Sequence, residues 1–275
     1  MTPGIAVEGV SHVYRTPDGR GVHALADIAL AVAPGEFHAL LGPSGCGKST
    51  LLYLIGGFIA VEQGSIRTGK GAVTGPGPDR GIVFQNFALF PWKTVRQNVL
   101  YGLEKLRLPA AERAERARHF IDLVHLTGFE DSFPAQLSGG MQQRAAIART
   151  LATDPDILLM DEPFGALDAQ TRRVMQEELL TIWRRTAKTV VFVTHDVQEA
   201  VYLADRVSIM SARPGRIRQV IDAGFNRRAD ESVFKLPAFG ERVELIWGLV
   251  RDEARAAAGG ATKAPSAAGG RAAAS

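Results

Sequence analysis

The 275 residues are 46% apolar and 22% charged, ordinary globular usage that excludes a disordered chain and supplies enough apolar surface for a sizeable core. The longest run free of Asp, Glu, Lys and Arg, Ser49 to Val61, is well short of the roughly 20 residues that a membrane-crossing helix needs, so no span is expected. The net charge of +3 resides in residues 254–275, where Arg255, Lys263 and Arg271 meet no acid; the remainder is neutral, and no nucleic-acid partner is expected.

In chain order, Ile5 and Val7 alternate, as do Ile28, Leu30 and Val32, and a turn at Pro17, Asp18 and Gly19 separates these strands. Phe37 to Leu41 is a short apolar run ending at Gly42, and a helix pattern follows from Lys48 to about Phe58. Gly81 to Phe84 reads as another strand. The middle is helical. Val95, Val99, Leu103 and Leu106 recur at helix spacing, as do Ala117, Ile121 and Val124, and a third pattern runs from Leu137 to Leu151. Then Ile157 to Met160, a helix from Ala169 to Thr186, Thr189 to Val193, a helix from Val197 to Ala204 and Arg206 to Met210 alternate. Short apolar runs between helices suggest a parallel sheet covered on both faces. Phe234, Phe239, Val243, Ile246, Trp247 and Val250 suggest an amphipathic C-terminal helix, packed on the core or on a second copy. Residues 254–275, mostly Ala and Gly, are expected to be a disordered tail.

The single cysteine, Cys46, excludes an intrachain disulfide, and residues 1–8 have neither a basic nor an apolar signal region, so a reducing cytosol is expected. Gly42-Pro43-Ser44-Gly45-Cys46-Gly47-Lys48-Ser49-Thr50 fits the P-loop pattern between a strand and a helix. Its glycines let backbone N–H groups turn inward around phosphate oxygens; Lys48 would reach the β- and γ-phosphates, and the Ser49 hydroxyl would ligate Mg²⁺. Cys46 reads as a small filler in that loop. Asp161 and Glu162 end the apolar run from Ile157, where they suit an outer Mg²⁺ ligand and a base that polarises a water. Ser138, Gly139 and Gly140 open the helix after Leu137 and leave backbone N–H groups for an anion.

The P-loop at 42–50, Leu137-Ser138-Gly139-Gly140-Met141-Gln142, the acidic strand end at 157–162 and His195, in this order, resemble the ATP-binding subunit of an ABC transporter over nearly all of residues 5–220. The resemblance implies an α/β P-loop NTPase (RecA-like) core with an N-terminal antiparallel β subdomain and a helical signature subdomain. The expected division is an ATPase domain over 5–253, with the core at about 5–90 and 154–220, the helical subdomain at 91–153 and a C-terminal extension at 221–253.

It also implies two copies packed head to tail around ATP and Mg²⁺. Ser138, Gly139, Gly140 and Gln142 of one copy would cover the γ-phosphate held by the other's P-loop. Gln85 would match the glutamine that contacts Mg²⁺ and water. Asp168 would lie in the loop that crosses the dimer, His195 would contact the γ-phosphate, and Tyr14 would stack on adenine.

One ATPase domain without a span implies separate multi-span permease subunits, and hence an importer at the cytoplasmic face of the cell membrane. There a periplasmic or extracellular binding protein selects the solute. Pro78 to Gln85, Ala88 to Val95, Asn98 to Leu103 and Met210 to Arg216 are similar to the nitrate, sulfonate and taurine importer ATPases. Phe90, Pro91 and Trp92 are expected to be exposed where a permease helix docks, or else to pack between subdomains. The alternative reading is an ABC ATPase without a transport role, such as an iron–sulfur scaffold ATPase.

Overall fold

The structure is a computed structural model and describes residues 4–225 and 233–260. The alternating residues at the start form β1 (Ile5–Arg15) and β2 (Gly21–Val32), an antiparallel pair with Ile5 opposite Val32 and Arg15 opposite Gly21. The buried strand β3 (Phe37–Leu41) leads to helix α1 (Lys48–Gly56). That helix stops two residues before the expected Phe58 because Gly57 takes a left-handed conformation, φ 76°. β4 (Gln63–Thr68) and the two-residue β5 (Gly71–Ala72) complete an antiparallel sheet ordered β2-β1-β4-β5. Gln63 to Thr68 holds a single large apolar residue, Ile66, so its sequence carries no strand signal.

The second sheet, which β3 opens, continues with β6 (Arg80–Val83), after which the chain leaves it for three helices, α2 (Val95–Leu103), α3 (Ala110–Leu123) and α4 (Gly139–Ala152). It returns as β7 (Ile157–Asp161), α5 (Ala169–Thr186), β8 (Thr189–Thr194), α6 (Val197–Leu203), β9 (Arg206–Met210) and β10 (Ile217–Asp222). The sheet order is β10-β9-β3-β8-β7-β6, parallel except for the antiparallel edge β10. This is the α/β architecture expected from the alternation of short apolar runs and helices.

The central strands of this sheet, β3, β7 and β8, are largely apolar because they serve two cores. Phe37, Ala39 and Leu41, with Leu158, Met160, Val190 and Phe192, face the core shared with α2, α4 and α5. Leu40, Ile157, Leu159, Val191 and Val193 face the core shared with α1 and the first sheet. Each fully buried large apolar side chain is worth roughly 1.5–3 kcal/mol.

At the C-terminus, α7 (Pro237–Gly260) packs on this chain's own core through buried Phe239 and Ile246 and half-buried Val243 and Val250. Two of the six apolar residues behave differently from expectation. Phe234 precedes α7 in a short 3₁₀ turn, Val233–Lys235, where its ring stacks on Tyr202 at 4.0 Å. Trp247 lies at the margin of the packed face and is exposed. The helix also continues past 253 to Gly260, since Ala256, Ala257 and Ala258 prolong a helix already nucleated by packing. The rest of the expected tail, 261–275, lies outside the described residues. Among the described residues no helix is long and apolar enough to cross a membrane.

Candidate functional site

The P-loop joins β3 to α1, and its shape depends on glycine. Gly47 has φ 103°, and a Cβ there would fall 2.6 Å from Leu25 Cδ2. Lys48 is buried and its Nζ donates to the carbonyl oxygens of Gly42 (2.8 Å) and Pro43 (3.0 Å). One helical turn apart on α1, Ser49 Oγ and Tyr53 OH donate to the two oxygens of Asp161, each at 2.8 Å. Burial, followed by the bond to Asp161, pushes the Tyr53 hydroxyl up to about 12, so it stays a donor. Tyr14 OH lies 3.2 Å from Thr50 Oγ1. Burial pushes the Cys46 thiol up, against the opposing Lys48 charge, which suits a neutral filler behind the loop.

These groups surround a cleft of about 210 Å³. Among the expected site residues, Tyr14, Ser44, Gly45, Gly47, Lys48, Ser49, Thr50 and Glu162 line it. Arg213 lines it as well, and sequence reasoning did not single it out. Tyr53 was missed too, although its i,i+4 spacing from Ser49 is a signal for two hydroxyls on one helix face. The loop supplies a helix start and a lysine, donors suited to a polyphosphate. Among the described residues no cluster of His, Cys, Asp and Glu could hold a metal by itself. Magnesium needs only one or two protein oxygens beside substrate phosphates and water, and Ser49 with Asp161 provides them.

Glu162 leaves the end of β7 with φ 43°, an uncommon conformation for a residue with a side chain. Its N–H donates to Val193 O (3.1 Å), and its Oε2 lies 3.2 Å from His195 Nδ1. Gln85 comes to the same place. A Cβ on Gly165 would stand 3.7 Å from Gln85 Nε2 and 3.9 Å from Glu162 Oε2. His195 also borders α7, sharing a groove of about 450 Å³ with Val243 and Trp247.

The signature residues lie elsewhere, and none of Ser138, Gly139, Gly140 and Gln142 lines the P-loop cleft. Ser138 caps α4, its hydroxyl accepting from Met141 N (3.3 Å). A Cβ on Gly139 would meet Leu167 Cδ2 at 3.3 Å and one on Gly140 would meet Thr171 Cγ2 at 3.0 Å, so this helix start abuts the segment around Asp168. Asp168 caps α5 through Gln170 N (3.1 Å) and Thr171 N (3.0 Å), and the bonding with Thr171 holds its carboxyl below the usual range. Gln142 is turned to its own loop, donating to Pro134 O (3.1 Å) and Leu137 O (3.3 Å), rather than presented outward.

Near Gln85, Trp92 is 70% exposed, while Phe90 is half-buried with its ring 4.5 Å from that of Tyr101. Packing between elements therefore describes Phe90 and not Trp92. The loop is tied by buried Asn98, which accepts from Phe90 N (2.9 Å) and donates to the carbonyls of Lys93 (2.9 Å) and Thr94 (3.0 Å).

Comparison with known proteins bears on this arrangement. The sequence profile of the ABC transporter family matches residues 25–165. An uncharacterised ABC transporter ATP-binding protein of Methanocaldococcus jannaschii is 50% identical, over 90% of this chain and 92% of its own. The taurine import ATP-binding protein TauB of Rhizobium johnstonii is 47% identical, over 90% of this chain and 96% of its own. Among solved structures, a dimeric ATP-binding cassette bound to ADP and Pi superposes with a TM-score of 0.71 at 33% identity, covering 80% of this chain and all of that one.

Proposed function

The chain belongs to the ABC transporter family, and from that premise we propose that it is the ATP-hydrolysing subunit powering uptake of a small anion of the nitrate, sulfonate or taurine class through separate permease subunits. The observation that carries the reading is the 3.2 Å contact of Glu162 with His195 at the rim of a complete P-loop cleft. It supports reading Glu162 as a carboxylate base beside a phosphate cradle.

In this reading the adenine lies against Tyr14. The P-loop amides and Lys48 hold the β- and γ-phosphates, and Lys48 exchanges its two carbonyl acceptors for phosphate oxygens. Ser49 and Asp161 would hold Mg²⁺, which supplies neutralisation of phosphate charge. Glu162 takes a proton from a water as that water's oxygen bonds to the γ-phosphorus. The bond from that phosphorus to the β-phosphate oxygen breaks, and ADP and phosphate leave. His195 orients the Glu162 carboxylate and contacts the γ-phosphate, and Gln85 orients the water and contacts the metal site. Ser138, Gly139 and Gly140 of a second copy close the site, with Asp168 crossing the same interface and Gln142 bracing the signature loop. The assembly sits at the cytoplasmic face of the cell membrane, where a separate binding protein outside selects the solute. The TauB relatives support the importer branch, and the dimeric cassette supports the pairing.

Glu162→Gln tests the chemistry. ATP binding is expected to persist while phosphate release falls about 100-fold or more. Turnover at the wild-type rate would remove Glu162 from its role. Vesicles carrying the chain with its permease subunits, and supplied outside with the solute-binding protein, should take up labelled taurine, an alkanesulfonate or nitrate when ATP is enclosed. Uptake of none of them would defeat the importer assignment.

A further inference from the structure

Arg213 stands at the lip of the P-loop cleft. It is carried by the loop between β9 and β10, and that loop is fixed on three sides. Ser211 Oγ donates to Ala212 O (3.0 Å) and Pro214 O (3.2 Å) and accepts from Arg216 N (3.0 Å). Gly215 exchanges backbone hydrogen bonds with β2, donating to Ala24 O (2.9 Å) and accepting from Ala26 N (3.0 Å). The loop also lies hard against the P-loop, for a Cβ on Gly215 would fall 2.0 Å from Cys46 O. The arginine is therefore presented from a backbone that has little freedom left to lose.

Its side chain, by contrast, is uncommitted. Among the described residues no carboxylate pairs with Arg213. Its hydrogen bonds are two long ones, from Nε (3.4 Å) and Nη2 (3.3 Å), to the single carbonyl oxygen of Gly45. These exceed the usual 2.9–3.0 Å for N–H···O bonds and are correspondingly weak. The guanidinium is always charged, so a full positive charge rests on one neutral acceptor. Lys48 is in the same condition, bonded to the carbonyls of Gly42 and Pro43. The two cations of the cleft are thus both parked on uncharged oxygens of one loop.

We propose that Arg213 is a nucleotide-binding residue whose guanidinium leaves Gly45 to bind a phosphate oxygen of the nucleotide. This deepens the reading of the cleft as an ATP site and rests on it. Phosphate oxygens are charged acceptors, and charge-assisted hydrogen bonds are about twice as strong as neutral ones. The exchange from carbonyl to phosphate is therefore favourable, and the planar fork of arginine matches phosphate geometry.

The test is equilibrium binding of a fluorescent ADP with Mg²⁺ to wild type, Arg213→Gln, Arg213→Ala and Lys48→Ala. Glutamine keeps a donor for the Gly45 oxygen and removes the charge. Arg213→Gln and Arg213→Ala are both expected to raise Kd about tenfold, equivalent to about 1.4 kcal/mol. The wild-type Kd should also climb more steeply with salt than that of Arg213→Gln. A Kd for Arg213→Gln within about twofold of wild type overturns the proposal. So does a loss in Arg213→Ala that glutamine restores, because that pattern belongs to a brace for Gly45. If wild type binds no nucleotide, or Lys48→Ala binds as well as wild type, the ATP-site reading itself fails and takes this inference with it. When wild type binds normally and Lys48→Ala is impaired, the Arg213 variants decide the role of Arg213 alone.

Discussion

Glu199, buried on α6, accepts hydrogen bonds from Thr194 Oγ1 and from Gln176 Nε2 of α5 (3.0 Å). Thr194 Oγ1 in turn accepts from Asp196 N (3.0 Å), so this one carboxyl fixes the backbone on both sides of His195. Burial pushes the Glu199 carboxyl up, the bonds from Thr194 and Gln176 oppose this, and the charge of Asp196 adds to it. A carboxyl raised in the folded state contributes stability that is full below its unfolded value and lost as pH rises through the folded one. Glu199→Gln carries no such loss. Its stability relative to wild type, from urea unfolding, is expected to improve as pH is raised from the unfolded carboxyl range toward neutrality. A difference that stays flat over that window would show that the carboxyl ionises in the fold as easily as in the unfolded chain. Nothing in the sequence reveals this residue, because a lone glutamate just beyond a motif has no pattern. Its role arises only when α5 and β8 meet around it.

At the scale of elements, the segment after β6 shows how a loop is aimed. Phe87 and Ala88 are both left-handed, φ 60° and 48°, each costing about 1 kcal/mol or more for residues with side chains. Arg149 of α4 offsets this by donating to Phe87 O (3.0 Å) and Ala88 O (2.6 Å). The helical elements thus hold the turn between Gln85 and Trp92. We propose that Trp92 is part of the socket for a permease helix. Trp92→Ala is expected to lower permease binding by roughly 30-fold or more, since truncating such an anchor costs about 2–4 kcal/mol. Because the side chain is exposed, unfolding free energy should move by no more than about 0.5 kcal/mol, and ATP turnover of the free subunit should hold. Co-purification with the permease, together with a melting curve, checks both. Undiminished permease binding would place the socket elsewhere.

For the whole molecule, we propose that each copy carries two half-sites, since Ser138 does not line its own P-loop cleft. Glu162→Gln is expected to double its mass on size exclusion when ATP and Mg²⁺ are added. A mass left unchanged by saturating ATP would rule out the sandwich. Lys48→Ala and Ser138→Arg copies, each inactive alone, should recover activity when mixed, with one working site per pair.

Much of this arrangement is legible in the sequence because phosphate chemistry demands fixed spacings. The P-loop, Glu162 and His195 each follow a buried strand whose apolar run announces them. What escaped is polar or short. β5 is two residues long, β10 reads Ile-Arg-Gln-Val-Ile-Asp without alternation on an edge, and Arg213 and Tyr53 owe their place to contacts between distant segments. The course of α7 past 253 escaped because alanine is silent about whether a packed helix precedes it.

The Asn98 knot has a further consequence. It ties the loop around residues 90–94 through main-chain groups, so these bonds need nothing from the Trp92 side chain. Folding and display are therefore insulated from each other. Substitutions at Trp92 and its exposed neighbours are free to drift without eroding the fold. A duplicated copy could be retuned to a new membrane partner in a few steps, each leaving the motor intact.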